Sequence, residues 1–272
     1  MEEKLKKSIL KTLAYFDIFD HPLTREELFW YLYIDGTNFK IGYNEFIEQL
    51  NEGAPEVIQT NQGFYFLSGR ENNVQARQSK VKLVEEKMKI AVKGIKKIAR
   101  IPFVRAVFVC NTVGYGVVEE DSDIDVFVVV KSGRLFIARA LATLYLSLSG
   151  LRRTKNKIKN RICLSFYITD NNLNLEKIAI NQDIYLVYWL NNLIPVYDPD
   201  NLHQEIIKAN NWTKKYLVNG LQSFSISYQW VVKNNKFFQS IRNFFEKAWT
   251  GVYGDMVESQ AKAMQLVKMK MN

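Results

Sequence analysis

Apolar residues recur at helical spacing between residues 8 and 19. Leu10, Leu13, Ala14 and Phe16 to Ile18 line one stripe, which predicts a first helix. A turn follows at His21-Pro22. Thr24 with Glu27 three residues on is a capping-box signature, so a second helix is expected to run to about Tyr33, and a third fits Tyr43 to Leu50. VIQT and FYFLS flank Asn61-Gln62-Gly63 and predict two strands joined by a short Gly-containing turn. Residues 77 to 100 carry nine basic and two acidic residues among Val81, Val84, Met88, Ala91, Val92, Ile95 and Ile98. That spacing predicts a long amphipathic helix with a basic outer stripe.

From Val104 the pattern changes to short apolar β-branched runs. VRAVFVC, IDVFVVV and RICLSFYI read as strands, with a helix from Arg134 to Ser149 between the last two. Such strands flanking a helix imply a buried sheet in an α/β layer. The chain from about Glu176 reads mainly as helices, broken at Pro195 and Pro199. The expected class is therefore α/β (α+β), with four parts: a winged-helix segment over 1–75, a basic linker helix over 76–100, a mixed-sheet domain over 101–200 and a helical region over 201–272. At 272 residues, two domains or one domain with sizeable additions is the expectation.

Charge sharpens this division. Residues 1 to 75 hold 7 Lys+Arg against 12 Asp+Glu, and the remainder holds 30 against 16, giving −5 and +14. A basic body suits a phosphate-bearing substrate or a polyanionic partner. The third helix of the first segment, which in a winged helix would read DNA, carries Glu45, Glu48 and Glu52 and no Lys or Arg. Carboxylates facing phosphates repel, so packing or protein interaction is expected of it rather than base reading. Cys110 and Cys163 sit in apolar runs outside any zinc pattern and read as reduced packing residues, in keeping with a cytoplasmic setting. No signal-like stretch and no membrane span is evident.

The chemistry lies in VFVCNTVGYGVVEEDSDIDVFVVVKSGR, residues 107 to 134. A strand enters a Gly-containing turn, and the next strand opens with Asp123-Ile124-Asp125. Alternation along a strand sends both carboxylates to one face, with Cα atoms about 6.6 Å apart. Two adjacent negative charges cost folding stability unless a cation offsets them, and Mg²⁺ commonly joins protein carboxylates to substrate phosphates. Asp123 and Asp125 are thus the candidate catalytic and metal residues, for one or two Mg²⁺ ions.

This segment resembles the signature of the DNA polymerase β nucleotidyltransferase superfamily, a Gly-Ser turn opening a helix followed some ten residues later by Asp-x-Asp. Asn111-Thr112-Val113-Gly114-Tyr115-Gly116 falls where the turn belongs, and Ser122 to Val126 matches the carboxylate strand. More of the chain, including LAYFDIFDHPLT, NRICLSFYI and the stretch from Asp183 to Trp212, resembles a group of bacterial and archaeal proteins that join a winged helix to such a domain. The resemblance implies transfer of a nucleoside monophosphate from an NTP to an acceptor hydroxyl. Asn111, Thr112, Gly116 and Ser122 would face the nucleotide, with Lys131 and Arg134 as further triphosphate contacts. Two departures stand out: Asn111-Thr112 replaces Gly-Ser, and the strand at Arg161 to Ile168 offers Ser165 but no third carboxylate. Glu119, Glu120, Asp121 and Asp170 remain candidates for a general base.

Rival readings are a non-catalytic protein whose basic surface binds nucleic acid or a protein partner, and the transferase half of a toxin and antitoxin pair. The run RRTKNKIKNR, six basic residues in ten, is a polyanion patch or an exposed loop. His21 and His203 have no triad-like context and read as structural. The acceptor and the oligomeric state are not encoded in any motif.

Overall fold

The computed structural model describes residues 1–34, 40–53, 56–220 and 227–270. It is a mixed α and β protein with two separate sheets. The first is small: β1 (Leu23–Thr24), β3 (Phe64–Leu67) and β2 (Ile58–Asn61) lie side by side in antiparallel pairs. Around it pack α1 (Glu3–Asp17), α2 (Arg25–Trp30) and α3 (Tyr43–Glu52). The α1 helix starts earlier than residue 8 because Leu5 continues the stripe, and Leu5, Ile9, Leu13 and Phe16 are all buried. Thr24 and Glu27 form the reciprocal capping box at the head of α2, which satisfies two otherwise orphaned amides.

This N-terminal core extends into the rest of the chain. Tyr115, Val117, Val187, Tyr188 and Leu217 belong to the same buried cluster as Leu13, Phe16, Leu28 and Phe46. Tyr15 stacks on Tyr188 at 4.3 Å between ring centroids, and the Tyr188 hydroxyl donates to the Tyr31 carbonyl. The helices of the acidic segment therefore brace the middle of the chain.

The second sheet has four strands in the order β6 (Ile162–Thr169), β5 (Ile124–Val130), β4 (Val104–Val109) and β7 (Ile194–Tyr197). β5 and β6 run parallel, while β4 is antiparallel to both of its neighbours. Period-2 alternation divides the side chains cleanly. Val107, Val109, Val126 and Val128 pack against Ala91 and Ile95 of α4 (Asn72–Ile98) and Ala138 and Ala142 of α6 (Leu135–Leu148). Ala106, Phe108, Phe127 and Val129 pack against Trp189 and Leu190 of α7 (Ile184–Asn191) and Ile206 of α8 (Leu202–Ala209). Pro195 does not break a helix, as its sequence context suggests, but sits in β7. Proline lacks a ladder donor and is accepted in an edge strand, where one side needs no pairing.

Two C-terminal helices, α9 (Lys236–Ala248) and α10 (Gly251–Lys270), close one end of the sheet. Arg242 of α9 is buried and donates to the carbonyls of Ala99 and Val104. Among the described residues no helix is long and apolar enough to cross a membrane.

Candidate functional site

The alternation that buries Ile124 and Val126 against α4 and α6 turns Asp125 to the opposite face, with Phe127 and Val129. Parallel pairing sets Asp125 beside Cys163 on β6. Asp123, just before β5, joins them: the ligand atoms of Asp123, Asp125 and Cys163 all lie within 4.8 Å of one another. All three are partly exposed, because β6 is the edge strand and leaves this end of the sheet open.

A polar network fixes Asp125. Between β4 and β5 the chain forms a short helix, α5 (Asn111–Tyr115), whose first residue takes φ of 53°. Asn is among the residues that best tolerate this left-handed conformation without being glycine. Its side chain is then placed to donate from Nδ2 to Asp125 Oδ2 at 2.9 Å, while Tyr185 Oη donates to Asn111 Oδ1 at 2.8 Å. On the other side Ser165 Oγ donates to Asp125 Oδ1 at 2.9 Å. Ser165 Oγ also lies 2.7 Å from Cys163 Sγ, and since the serine proton is committed to Asp125, the thiol is the donor in that contact. Burial pushes the Cys163 thiol up to about 11, with the charges of Asp125 and Asp123 adding to the effect, so it stays protonated at neutral pH.

Asp123 has a cationic neighbour. Arg153 Nε sits 2.8 Å from its Oδ2, reaching in from the exposed loop between α6 and β6. Beneath it, Lys87 of α4 is fully buried and spends its ammonium on Ser122 O at 2.8 Å, Asn160 Oδ1 at 3.1 Å and Glu120 O at 3.3 Å. Desolvation lowers its pKa, and the nearby Asp123 charge opposes that. One amine thus ties together the two loops that lead into β5 and β6.

Of the residues nominated from sequence, Asp123, Asp125 and Asn111 come together, with Thr112 next along in α5 and partly exposed. Gly116 does not join them. It caps the far end of α5 at φ of 74°, and a Cβ there would lie 3.7 Å from His21. The Ser122 hydroxyl turns into its own loop, donating to Glu119 O. Lys131 and Arg134 follow the opposite end of β5, roughly 20 Å from Asp125 at 3.3 Å per residue. Arg134 there donates to Trp249 O and pairs with Asp255. Asp170 also belongs to that far end, against Ser132 N. Glu119 pairs with Lys80, and Glu120 and Asp121 with Lys159, so none of the suggested bases reaches the carboxylates.

Lys87, Arg153, Cys163 and Tyr185 are the participants that sequence reasoning did not single out. Cys163 and Ser165 had a usable signal, since odd positions of β6 share a face. Tyr185 comes from a helix sixty residues beyond Asp125, and no local pattern points to it. Comparison with protein-family models, with curated proteins and with solved structures finds no match to this chain.

Proposed function

We propose that the chain is a Mg²⁺-dependent nucleotidyltransferase, which moves a nucleoside monophosphate from an NTP to an acceptor hydroxyl and releases pyrophosphate. On this reading the four-stranded sheet with α5 is the polymerase β type catalytic layer, and the three N-terminal helices with their hairpin are a winged helix used for packing. The observation that carries the reading is the pair of partly exposed carboxylates turned to one face next to the edge strand β6, beside a turn held by Asn111.

The donor set fits a hard divalent cation. Asp123 and Asp125 offer oxygen ligands, and Asp125 is oriented by neutral donors, which leave lone pairs free on both of its oxygens. Such a cation would neutralise charge on the triphosphate and on the leaving pyrophosphate. Cys163 remains a protonated bystander that orients Ser165. Asn111 and Ser165 hold Asp125 in place, and Tyr185 holds Asn111. The Thr112 hydroxyl, in the first turn of α5, would donate to a phosphate oxygen. Arg153 must release Asp123 for this to happen, and it lies in an exposed loop from which it can swing away.

Calorimetric titration with Mg²⁺ and each of the four NTPs tests the proposal. Mg²⁺-dependent binding of at least one NTP is expected, and it should vanish in Asp123→Ala and Asp125→Ala while far-UV circular dichroism stays unchanged. Absence of NTP binding in the intact chain, or its survival in both variants, would overturn it.

The Arg153 pair and the presence of Cys163 and Ser165 where a third acid would stand favour a second reading. In it the site is inactive, and the domain serves to bind nucleic acid or a protein partner. It requires that Mg²⁺ fail to compete with Arg153 for Asp123.

A further inference from the structure

The cations of the loop between α6 and β6 are divided unequally. At its base Lys159 is neutralised by Glu120 and Asp121, and Asn160 is held by Lys87. At its tip Thr154 and Lys157 pair across a tight turn, with Thr154 N donating to Lys157 O at 3.0 Å, and Lys155 and Lys157 stand exposed. Arg152 pairs with Ile162 in a single bridge, so the backbone is extended there and successive side chains point to opposite faces. Arg153 goes to Asp123. Arg152 goes to the other face and lines a cleft of about 540 Å³ between α6 and α10, together with Arg139, Lys268, Thr143 and Ser147. The Tyr167 hydroxyl, buried and without a hydrogen-bond partner, lies within reach of both the Arg139 and Arg152 charges.

From this layout we infer that a single-stranded polynucleotide follows the track Arg139, Arg152, Lys155 and Lys157, rounding the open edge of β6 to bring its terminal hydroxyl to Asp123 and Asp125. The terminal step rests on the transferase reading above, and the binding track does not. Three features favour this occupant. The cleft sets Arg139, Arg152 and Lys268 around apolar Ala140, Leu144 and Met269, which suits a strand that offers both phosphates and unpaired bases. Among the described residues Arg152, Lys155 and Lys157 have no carboxylate within ion-pair distance, whereas Arg153 and Lys159 of the same loop do. The path rounds the edge strand β6 from one face of the sheet to the other, a bend that a duplex with a persistence length of about 150 base pairs cannot follow and a single strand can.

The experiment measures fluorescence anisotropy of a labelled single-stranded RNA of about 20 nucleotides, of DNA of the same sequence and of the corresponding duplex, in EDTA without NTP. Under those conditions a failure of catalysis leaves the binding result readable, and a failure of binding leaves the NTP titration readable. Binding is expected to weaken with salt at about 0.7 logarithmic units per neutralised phosphate. The triple variant Arg139→Gln, Arg152→Gln, Lys155→Gln should lower that slope by roughly 2. The exposed pair Lys155→Gln, Lys157→Gln, which cannot unfold a core, should lower it by roughly 1.4. No binding at about 50 mM salt, an unchanged slope in both variants, or equal affinity for the duplex would overturn the inference.

Discussion

The two ends of β5 carry opposite chemistry. At the C-terminal end two arginines and a helix start have partners within the chain. Arg105 meets Glu246 at 2.8 Å, Arg134 meets Asp255 at 2.7 Å, and the first amides of α6, Phe136 N and Ile137 N, donate to the carboxylate of Glu258. A helix start of that kind favours an anion, and here α10 supplies one from the chain itself. At the N-terminal end Asp123 and Asp125 lie against neutral donors and a single arginine from an exposed loop. Basic residues next to a turn and carboxylates next to a turn look equally functional in one dimension. The difference is whether the rest of the chain has already neutralised them.

The comparison predicts separate losses at the two ends. Asp125→Ala should reduce Mg²⁺-dependent NTP turnover by on the order of 10³-fold, since charge stabilisation at the transferring phosphoryl group is removed, with little change in the urea midpoint. Retained turnover would place the chemistry elsewhere. Glu246→Ala, at the closed end, should cost about 3 kcal/mol in urea unfolding. It strands Arg105 and the buried Arg242 and removes the acceptor for Phe103 N, while leaving NTP binding intact. A loss below about 1 kcal/mol would mean that the α9 clamp is ornamental.

The strands, the capping box and the shared face of Asp123 and Asp125 were readable because alternation and capping are local rules. β7 was not. Its four residues contain Pro195, and only the pairing of Phe108 with Pro195 in the folded sheet identifies it as an edge strand. Lys131 and Arg134 were nominated for their charge, although the length of β5 already separates them from Asp125. The partners of Arg134, Trp249 and Asp255, lie more than a hundred positions away and leave no local trace. Arg153 stood in a visibly basic run, but nothing in that run distinguishes the one residue that reaches Asp123.

A smaller effect tests how far the open end depends on the N-terminal helices. His21 packs beside Gly116 at the end of α5, and burial, reinforced by Arg77, lowers its pKa to about 3; burial alone takes His203 to about 4. Both are more basic when unfolded, so the unfolded chain binds more protons below pH 6.5 and stability falls as the pH drops from there toward the folded values. Each contributes about 1.4 kcal/mol per pH unit over that window. His21→Phe should flatten the stability profile between pH 6.5 and about 5, before the carboxylates begin to titrate. An unchanged profile would show that His21 is hydrated in solution.

The smallest expected change bears most directly on the open end. Arg153 is half exposed, so its pair with Asp123 contributes no more than about 1 kcal/mol to folding, and Arg153→Ala should barely move the urea midpoint. Its effect on cation binding has the opposite sign. The guanidinium competes with any metal for Asp123 Oδ2, and removing a competitor worth about 1 kcal/mol should raise Mg²⁺ affinity roughly fivefold. Titration of the variant against the intact chain measures that ratio. A rise identifies Arg153 as a stand-in for the cation, whereas a fall would mean that the arginine organises the carboxylates, and the inactive reading would then describe this end of β5 better.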